Sequence, residues 1–350
     1  MNDENNTRKC CKNPYTHLEI QGNGNCYFCC PSFIKNEISI GNIFEQSFEE
    51  VWYGEKATEF RKSVLDGSYS KCDLTLCPFD AEGFFFYEDY LYPPYPKFVA
   101  LNYVGCCNVR CITCRDNLYC ETKDKTEYYN QFKDRIVQLC SRAKYVYLNG
   151  SGSLFVSNHL KGVCHEILKV NPYVRFILCS NGLLFNEAHV RDFNLLNNLY
   201  HVQISIHAAK KKVYEKIVRG GKWEVLQKNL SYISNLKKEG KITKLEFNFV
   251  THSLNYKEMP RFVKMAQKFG ATPVFWRFRK WNNASEMNRN YEKYTVWEKD
   301  HKDYKKFLKV MKKLQKIDVK ICFHDPLFQK LYDQKYDTWL DKLKNIIFRR

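Results

Sequence analysis

Short runs in which β-branched, aromatic and aliphatic residues alternate with polar ones recur six times between residues 97 and 279: KFVALNYV, AKYVYLNG, VRFILCSNG, YHVQISIHA, KLEFNFVTH and TPVFWRFR. Their length and composition predict strands. The segments between them carry apolar positions three and four apart, as in TEYYNQFKDRIVQLCSR (126–142) and WEVLQKNLSYISNLKKEG (223–240), and predict helices. Strands alternating with helices imply βαβ units around a parallel sheet, so the fold class is α/β. The spacing suits a partial (β/α)6, TIM-like barrel. In such barrels chemistry sits on the loops that follow the C-terminal ends of the strands.

On either side of this region the pattern changes. Near the N-terminus Phe48, Val51 and Trp52 recur at helical spacing, and a second short helix runs through KATEFRKSVLDG to a glycine stop. The bridge YEDYLYPPYPK (87–97) breaks any regular element. Toward the C-terminus KDYKKFLKVMKKLQK reads as an amphipathic helix with Phe307, Leu308, Val310, Met311 and Leu314 on its apolar side. The expected division is a small cysteine-rich domain at 1–86, a linker at 87–96, the barrel core at 97–281 and a helical extension at 282–350. That extension would close the open side of the barrel.

A chain of 350 residues, 44% hydrophobic and 27% charged, is long and apolar enough for a globular core. It has no internal repeat. No window approaches the length of a membrane span, and the opening MNDENNTRKCC lacks the apolar run of a signal peptide, so a cytoplasmic location is expected. A formal charge of +18 raises the question of a nucleic-acid partner. The lysines are spread widely, however, and the densest run is explained by the solvated face of the helix at 303–316. No nucleic-acid partner is expected.

Sixteen cysteines change the picture more. In a reducing compartment clustered thiols point to metal binding or redox chemistry, whereas isolated ones such as Cys140, Cys164 and Cys322 read as small buried hydrophobes. The stretch GCCNVRCITCRDN (105–117) directly follows the first barrel strand and spaces Cys107, Cys111 and Cys114 as C-x3-C-x2-C. Three thiolates on one short loop can cap three corners of a cubane [4Fe–4S] cluster and leave the fourth iron open. A structural zinc would want a fourth ligand, for which Cys120 is poorly spaced. A ferredoxin would need four cysteines per cluster with a proline after the last. Cys106 is the spare thiol.

This loop, followed in order by YLNGSGSLF (147–155), CSNG (179–182), ISIHAAKKKVYEKIVRGGKWEVLQKNL (204–230) and FNFVTHSLNYKEMPRFVKMAQKFGA (247–271), resembles the radical S-adenosylmethionine (SAM) superfamily from about 97 to 281. The resemblance implies an enzyme that reductively cleaves SAM at the cluster, the 5′-deoxyadenosyl radical then taking hydrogen from a peptide, a protein or a small molecule. It also implies an electron donor such as flavodoxin or ferredoxin. Gly150, Gly152, Asn181, Ser205 and Arg219 would meet SAM, the arginine through a carboxylate. The chain departs from the family pattern at Ser153, often acidic there, at Thr113, often aromatic, and at His207, often aspartate. His207 is expected to line the pocket or serve the structure, and no catalytic acid or base is assigned.

The pattern Cys-x12-Gly-x4-Cys from Cys11 through Gly24 to Cys29, then GNIFEQSFEEVW, FRKSVLDG and Cys72-x4-Cys77, is similar to the SPASM (twitch-like) module of radical SAM peptide maturases. It implies one auxiliary [4Fe–4S] cluster on Cys11, Cys29, Cys72 and Cys77. Cys10 remains open as an alternative to Cys11, and Cys26 or Cys30 to Cys29. The module normally follows the barrel, whereas here it comes first. Two other classes stay in view: a zinc-knuckle RNA-binding protein, and an iron–sulfur carrier or scaffold that never cleaves SAM.

Overall fold

A computed structural model describes residues 8–9, 11–74, 77, 85–86, 94–148, 151–280 and 285–334. Its centre is a ten-stranded sheet. In chain order its strands are β1 (His17–Gln21), β2 (Asn25–Tyr27), β3 (Gly41–Asn42), β4 (Phe98–Asn102), β5 (Tyr145–Leu148), β6 (Arg175–Ser180), β7 (Leu199–Ser205), β8 (Lys244–Thr251), β9 (Thr272–Arg277) and β10 (Cys322–Phe323). In space they run β10-β9-β8-β7-β6-β5-β4-β1-β2-β3. All seven strands from β4 to β10 are parallel to their neighbours, as the six alternating runs predict for β4 to β9.

The two faces of each barrel strand differ, and that difference fixes the register. In β7, Val202 and Ile204 are buried in the hydrophobic core while Gln203 and Ser205, on the other face, are only half-buried. In β6, Phe176 and Leu178 are buried and Ile177 and Cys179 are less so. The helices cover the apolar face. Leu226, Leu230 and Ile233 of the helix Trp223–Lys238 are buried, as are Met259, Phe262, Val263 and Ala266 of Met259–Lys268. The inner face, toward the barrel lumen, mixes the polar Gln203 and Ser205 with Ile177 and Cys179.

Two features of the sheet go beyond the sequence pattern. β10, only two residues long, adds to the open edge at β9, in register Val274↔Cys322. The extension thus supplies a strand as well as the helix Tyr304–Leu314, which buries Phe307, Val310, Met311 and Leu314 of the expected apolar side and leaves Leu308 half-buried. At the other edge β1 lies parallel to β4, with His17 opposite Phe98 and Gln21 opposite Asn102, and β2 and β3 fold back antiparallel. The N-terminal segment is therefore built into the barrel sheet. Most of the expected linker (residues 87–93) lies outside the described residues, as do parts of the 1–86 and 282–350 segments.

The helix expected over 126–142 is two helices, α1 (Lys123–Asn130) and α2 (Lys133–Cys140). The break places the Phe132 ring face to face with Phe44 at 4.3 Å, inside a cluster with Tyr128 and Tyr129. Arg135 of α2 adds a hydrogen bond to the Phe44 carbonyl at 2.9 Å. The broken helix docks the N-terminal segment a second time. Arg61 anchors that segment internally. Fully buried, it donates to the carbonyls of Pro14 (2.9 Å) and Trp52 (2.6 Å) and stacks on the Phe28 and Trp52 rings.

Candidate metal and cofactor site

The loop after β4 is held in shape by its own backbone. Cys111 pairs antiparallel with Val218, and the Ile112 amide donates to the Ile217 carbonyl at 3.0 Å. The amides of Cys114 and Arg115 both turn back to the Cys111 carbonyl, at 2.9 and 3.0 Å, which puts Cys111 and Cys114 on one tight turn. Burial raises the pKa of the Cys111 thiol first, and the charges of Cys114 and Cys107 raise it further. These three thiols are close enough to repel as anions. Such a donor set is relieved by a multivalent iron centre, which takes thiolates and neutralises them. Cys106 is buried, its thiol pushed up to about 12 by burial, and of the three loop cysteines it feels Cys107.

Arg115 stands beside these thiols. Its Nη1 donates to the Gly105 carbonyl and its Nη2 to the Ser151 carbonyl, both at 2.6 Å, while Nε points at Cys114 Sγ at 3.4 Å. Burial opposes its charge, but the thiolates of Cys114, Cys107 and Cys111 outweigh this and hold its pKa above the ordinary arginine value. One guanidinium thus ties the cysteine loop to the segment after β5.

The residues expected to meet SAM fall into three groups. Asn181, just after β6, reaches the cysteine loop: its Nδ2 donates to Asn108 Oδ1 at 2.8 Å and lies 3.9 Å from Cys107 Sγ. Ser205, at the end of β7, has its hydroxyl 3.9 Å from the Cys179 thiol on the inner face of the barrel. Gly152 was expected to admit the methionine part of SAM. A Cβ there would fall 2.2 Å from the Cys106 carbonyl oxygen, so this glycine admits the backbone of the cysteine loop. Gly150 lies outside the described residues. Arg219, expected to meet a carboxylate of SAM, meets a carboxylate of the chain itself. Its guanidinium is ion-paired with Glu286 at 2.5 Å, because the two-residue pairing with Arg110 carries it to the loop rim.

His207 behaves as a structural group. Its backbone is left-handed (φ 62°), its Nδ1 accepts the Val250 amide at 3.0 Å, and burial lowers its pKa to about 4. At the far end of the lumen Glu246 is buried among His201 (2.8 Å), Lys244 (2.7 Å) and Gln203 (3.1 Å). Burial alone would raise its pKa, but the donors outweigh it and hold it at about 2.

A second cavity, of about 260 Å³, is lined by Cys11, Cys29, Cys30, Cys72 and Cys77 with the rings of Phe28, Phe33 and Phe60. Burial raises the Cys29 thiol most, followed by the charges of Cys11, Cys72, Cys77 and Cys30. Cys72 in turn feels Cys11 and Cys77. The Cys30 thiol is raised by burial and then by Glu19, and it also senses Ser32 and Arg279. Cys26 is turned away, its thiol 3.5 Å from the Gly24 carbonyl. Cys10 is outside the described residues. Among the described residues no three thiol, imidazole or carboxylate groups are placed to hold a single metal ion. A cubane differs from a zinc site in spreading its thiolates over separate irons.

Between the two cysteine sets opens a cleft of about 1100 Å³, reached by Cys114, Arg115, Tyr147 and Phe278 from the barrel and by Tyr27 and Cys30 from the N-terminal segment. Glu19, on β1, lines both cavities. Its carboxylate accepts from Gln21 Nε2 at 2.5 Å and Asn102 Nδ2 at 3.0 Å, and burial raises its pKa against these bonds. Sequence reasoning missed Glu19 and Arg115. Glu19 carries no motif; Arg115 was legible only as the residue after the last loop cysteine.

Residues 10–78 match the family model of SPASM, an iron–sulfur cluster-binding domain. All four cysteines expected to hold the auxiliary cluster lie in this matched segment and line the cavity of about 260 Å³. No curated protein matches the chain. Among solved structures the chain is similar to native anSMEcpe with bound AdoMet and the Cp18Cys peptide (TM-score 0.44, 15% identity, 64% of this chain and 60% of that one). It is also similar to a radical SAM methyltransferase from Sphaerobacter thermophilus (TM-score 0.38, 10% identity, 62% and 63%). A third is archaeal TYW1 (TM-score 0.30, 15% identity, 45% and 59%). The chain therefore spans about three-fifths of the length of these proteins. Among the described residues no helix is long and apolar enough to cross a membrane.

Proposed function

We propose that this chain is a radical SAM enzyme with an auxiliary cluster in its SPASM segment. The observation that carries the reading is the cysteine loop after β4: Cys111 and Cys114 share one tight turn, Cys107 is near enough to act on Cys111, and the Cys114 side lines the cleft. Three protein thiolates, one of them exposed at the cleft, fit a cluster whose fourth iron has no protein ligand. When bound there, such a cluster and its SAM supply homolysis of a carbon–sulfur bond and a 5′-deoxyadenosyl radical.

The chain's own residues then bind, orient and shield. Asn181 and Arg115 hold the cysteine loop against the ends of β6 and β5, which fixes where SAM can sit. Tyr27, Tyr147 and Phe278 give the cleft aromatic walls that keep water from a reactive radical. Its volume of about 1100 Å³ exceeds a pocket for one small ligand, so SAM and part of a peptide, protein or small-molecule substrate fit together. Cys11, Cys29, Cys72 and Cys77 hold the auxiliary cluster. Glu19 and Cys30 form the shared wall between that cluster and the substrate cleft.

The zinc-knuckle reading is the weaker one, because it needs thiols converging on one ion, and no such group is found among the described residues. The test is anaerobic reconstitution with iron and sulfide, followed by spectroscopy of the reduced clusters. Replacing Cys107, Cys111 and Cys114 with alanine should remove one cluster, the one whose spectrum SAM alters. Replacing Cys11, Cys29, Cys72 and Cys77 should remove the other. Bound zinc without iron contradicts the proposal.

A further inference from the structure

We infer that Arg115 is a positioning residue that sets the reduction potential of the cluster on Cys107, Cys111 and Cys114. The inference rests on the reading above and concerns a residue that the C-x3-C-x2-C motif does not include. Two observations carry it. Nη1 and Nη2 are fixed on the carbonyls of Gly105 and Ser151, both at 2.6 Å, so the guanidinium is pinned from two segments of chain. That pinning leaves Nε, and the positive charge, at 3.4 Å from Cys114 Sγ.

A hydrogen-bond donor and a cation beside a ligating sulfur both favour the reduced, more negative state of an iron–sulfur centre. Arginine suits this while holding two carbonyls, because its planar fork presents several donors in fixed directions. The neighbouring charges do not cancel it. Asp116 is taken by Arg289, and Glu286 by Arg219. Arg115 enters no ion pair among the described residues, and the group that its Nε meets is the Cys114 sulfur. The loop of Arg115 also faces the cleft, where a positive charge next to the open iron favours an anionic chelating group.

The test is potentiometry of the full-length reconstituted chain, following the cluster whose spectrum responds to SAM, in the wild type and in R115K and R115Q. Loss of the charge in R115Q should lower the ratio of reduced to oxidised cluster at a fixed poise about tenfold, a shift of about 59 mV to more negative potential for a one-electron couple. R115K keeps the charge but not the fork, and should fall between the two. Equal midpoints in all three, whatever the change in thermal stability, overturn the proposal and leave Arg115 a structural clasp. Should neither variant retain iron, wild-type chain labelled with guanidino-15N arginine decides: a 15N coupling to the reduced, SAM-responsive cluster is expected, and its absence overturns the proposal. A wild-type chain with no SAM-responsive cluster overturns the functional reading and this inference together.

Discussion

Replacing Gly152 with alanine probes the contact between the cysteine loop and the segment after β5. An added Cβ would lie 2.2 Å from the Cys106 carbonyl oxygen, 2.9 Å from Gly105 C and 3.0 Å from Cys106 C. All three are backbone atoms, so no side chain can swing aside and the loop itself must move. Overpacking of this kind costs about 1–3 kcal/mol. The same movement stretches the hydrogen bond from the Ser153 amide to Cys106 O, now 2.7 Å, worth about 1 kcal/mol. A total of about 3 kcal/mol raises the population of the locally opened loop roughly a hundredfold. The readout is alkylation of the buried Cys106 in the iron-free chain, followed by peptide mapping. When opening and closing are fast, the rate tracks that population. Gly105→Ala is the control, since a Cβ there meets nothing within 4 Å. Equal Cys106 protection in both variants would refute the packing argument.

Arg61→Ala should destabilise the N-terminal segment by about 3 kcal/mol, because it strands the carbonyls of Pro14 and Trp52 and empties the space between two rings; denaturation of the apo chain followed by Trp52 fluorescence measures it. Gly162→Ala, inside the helix Asn158–Val170 with nothing within 4 Å of the new Cβ, should stabilise by about 0.5–1 kcal/mol in the same assay. Arg219→Gln should change SAM affinity less than about threefold by calorimetry, since the guanidinium is held by Glu286 on the rim; a loss above tenfold would restore the arginine to the cofactor site. For pH, His159 and His207 have pKa values lowered by burial to about 4, against 6.5 when free. Between these values the unfolded chain binds more protons than the folded one, so stability must fall as pH drops from 6.5 toward 4. His207→Gln should flatten that fall, and equal slopes in urea titrations across this range would count against neutral buried histidines.

The six barrel strands were readable because each has one apolar face packed under helices, and a period of two survives in the sequence wherever one face is buried. β1 was not. In HLEIQ the inward positions are His17, Glu19 and Gln21, and five residues with only two aliphatic ones give too little alternation to mark a strand. β10 is too short for any periodicity, and its place is set by pairing with β9. The break at Phe132 arose from a ring in another segment, Phe44, which local spacing cannot reveal. Motif order led to the expectation for the three loop cysteines and Asn181, and the fold brings Asn181 to the cysteine loop. Glu19 and the ion pair of Arg219 were not legible, because both depend on residues more than sixty positions away.

The most direct test of the central claim is 5′-deoxyadenosine production by the anaerobically reconstituted chain given SAM and dithionite. The wild type should form the nucleoside, and the chain with Cys107, Cys111 and Cys114 replaced by alanine should form none while keeping the iron of its SPASM segment. Nucleoside formation that survives the triple replacement would contradict the account, as would a fully iron-loaded wild type that leaves SAM intact.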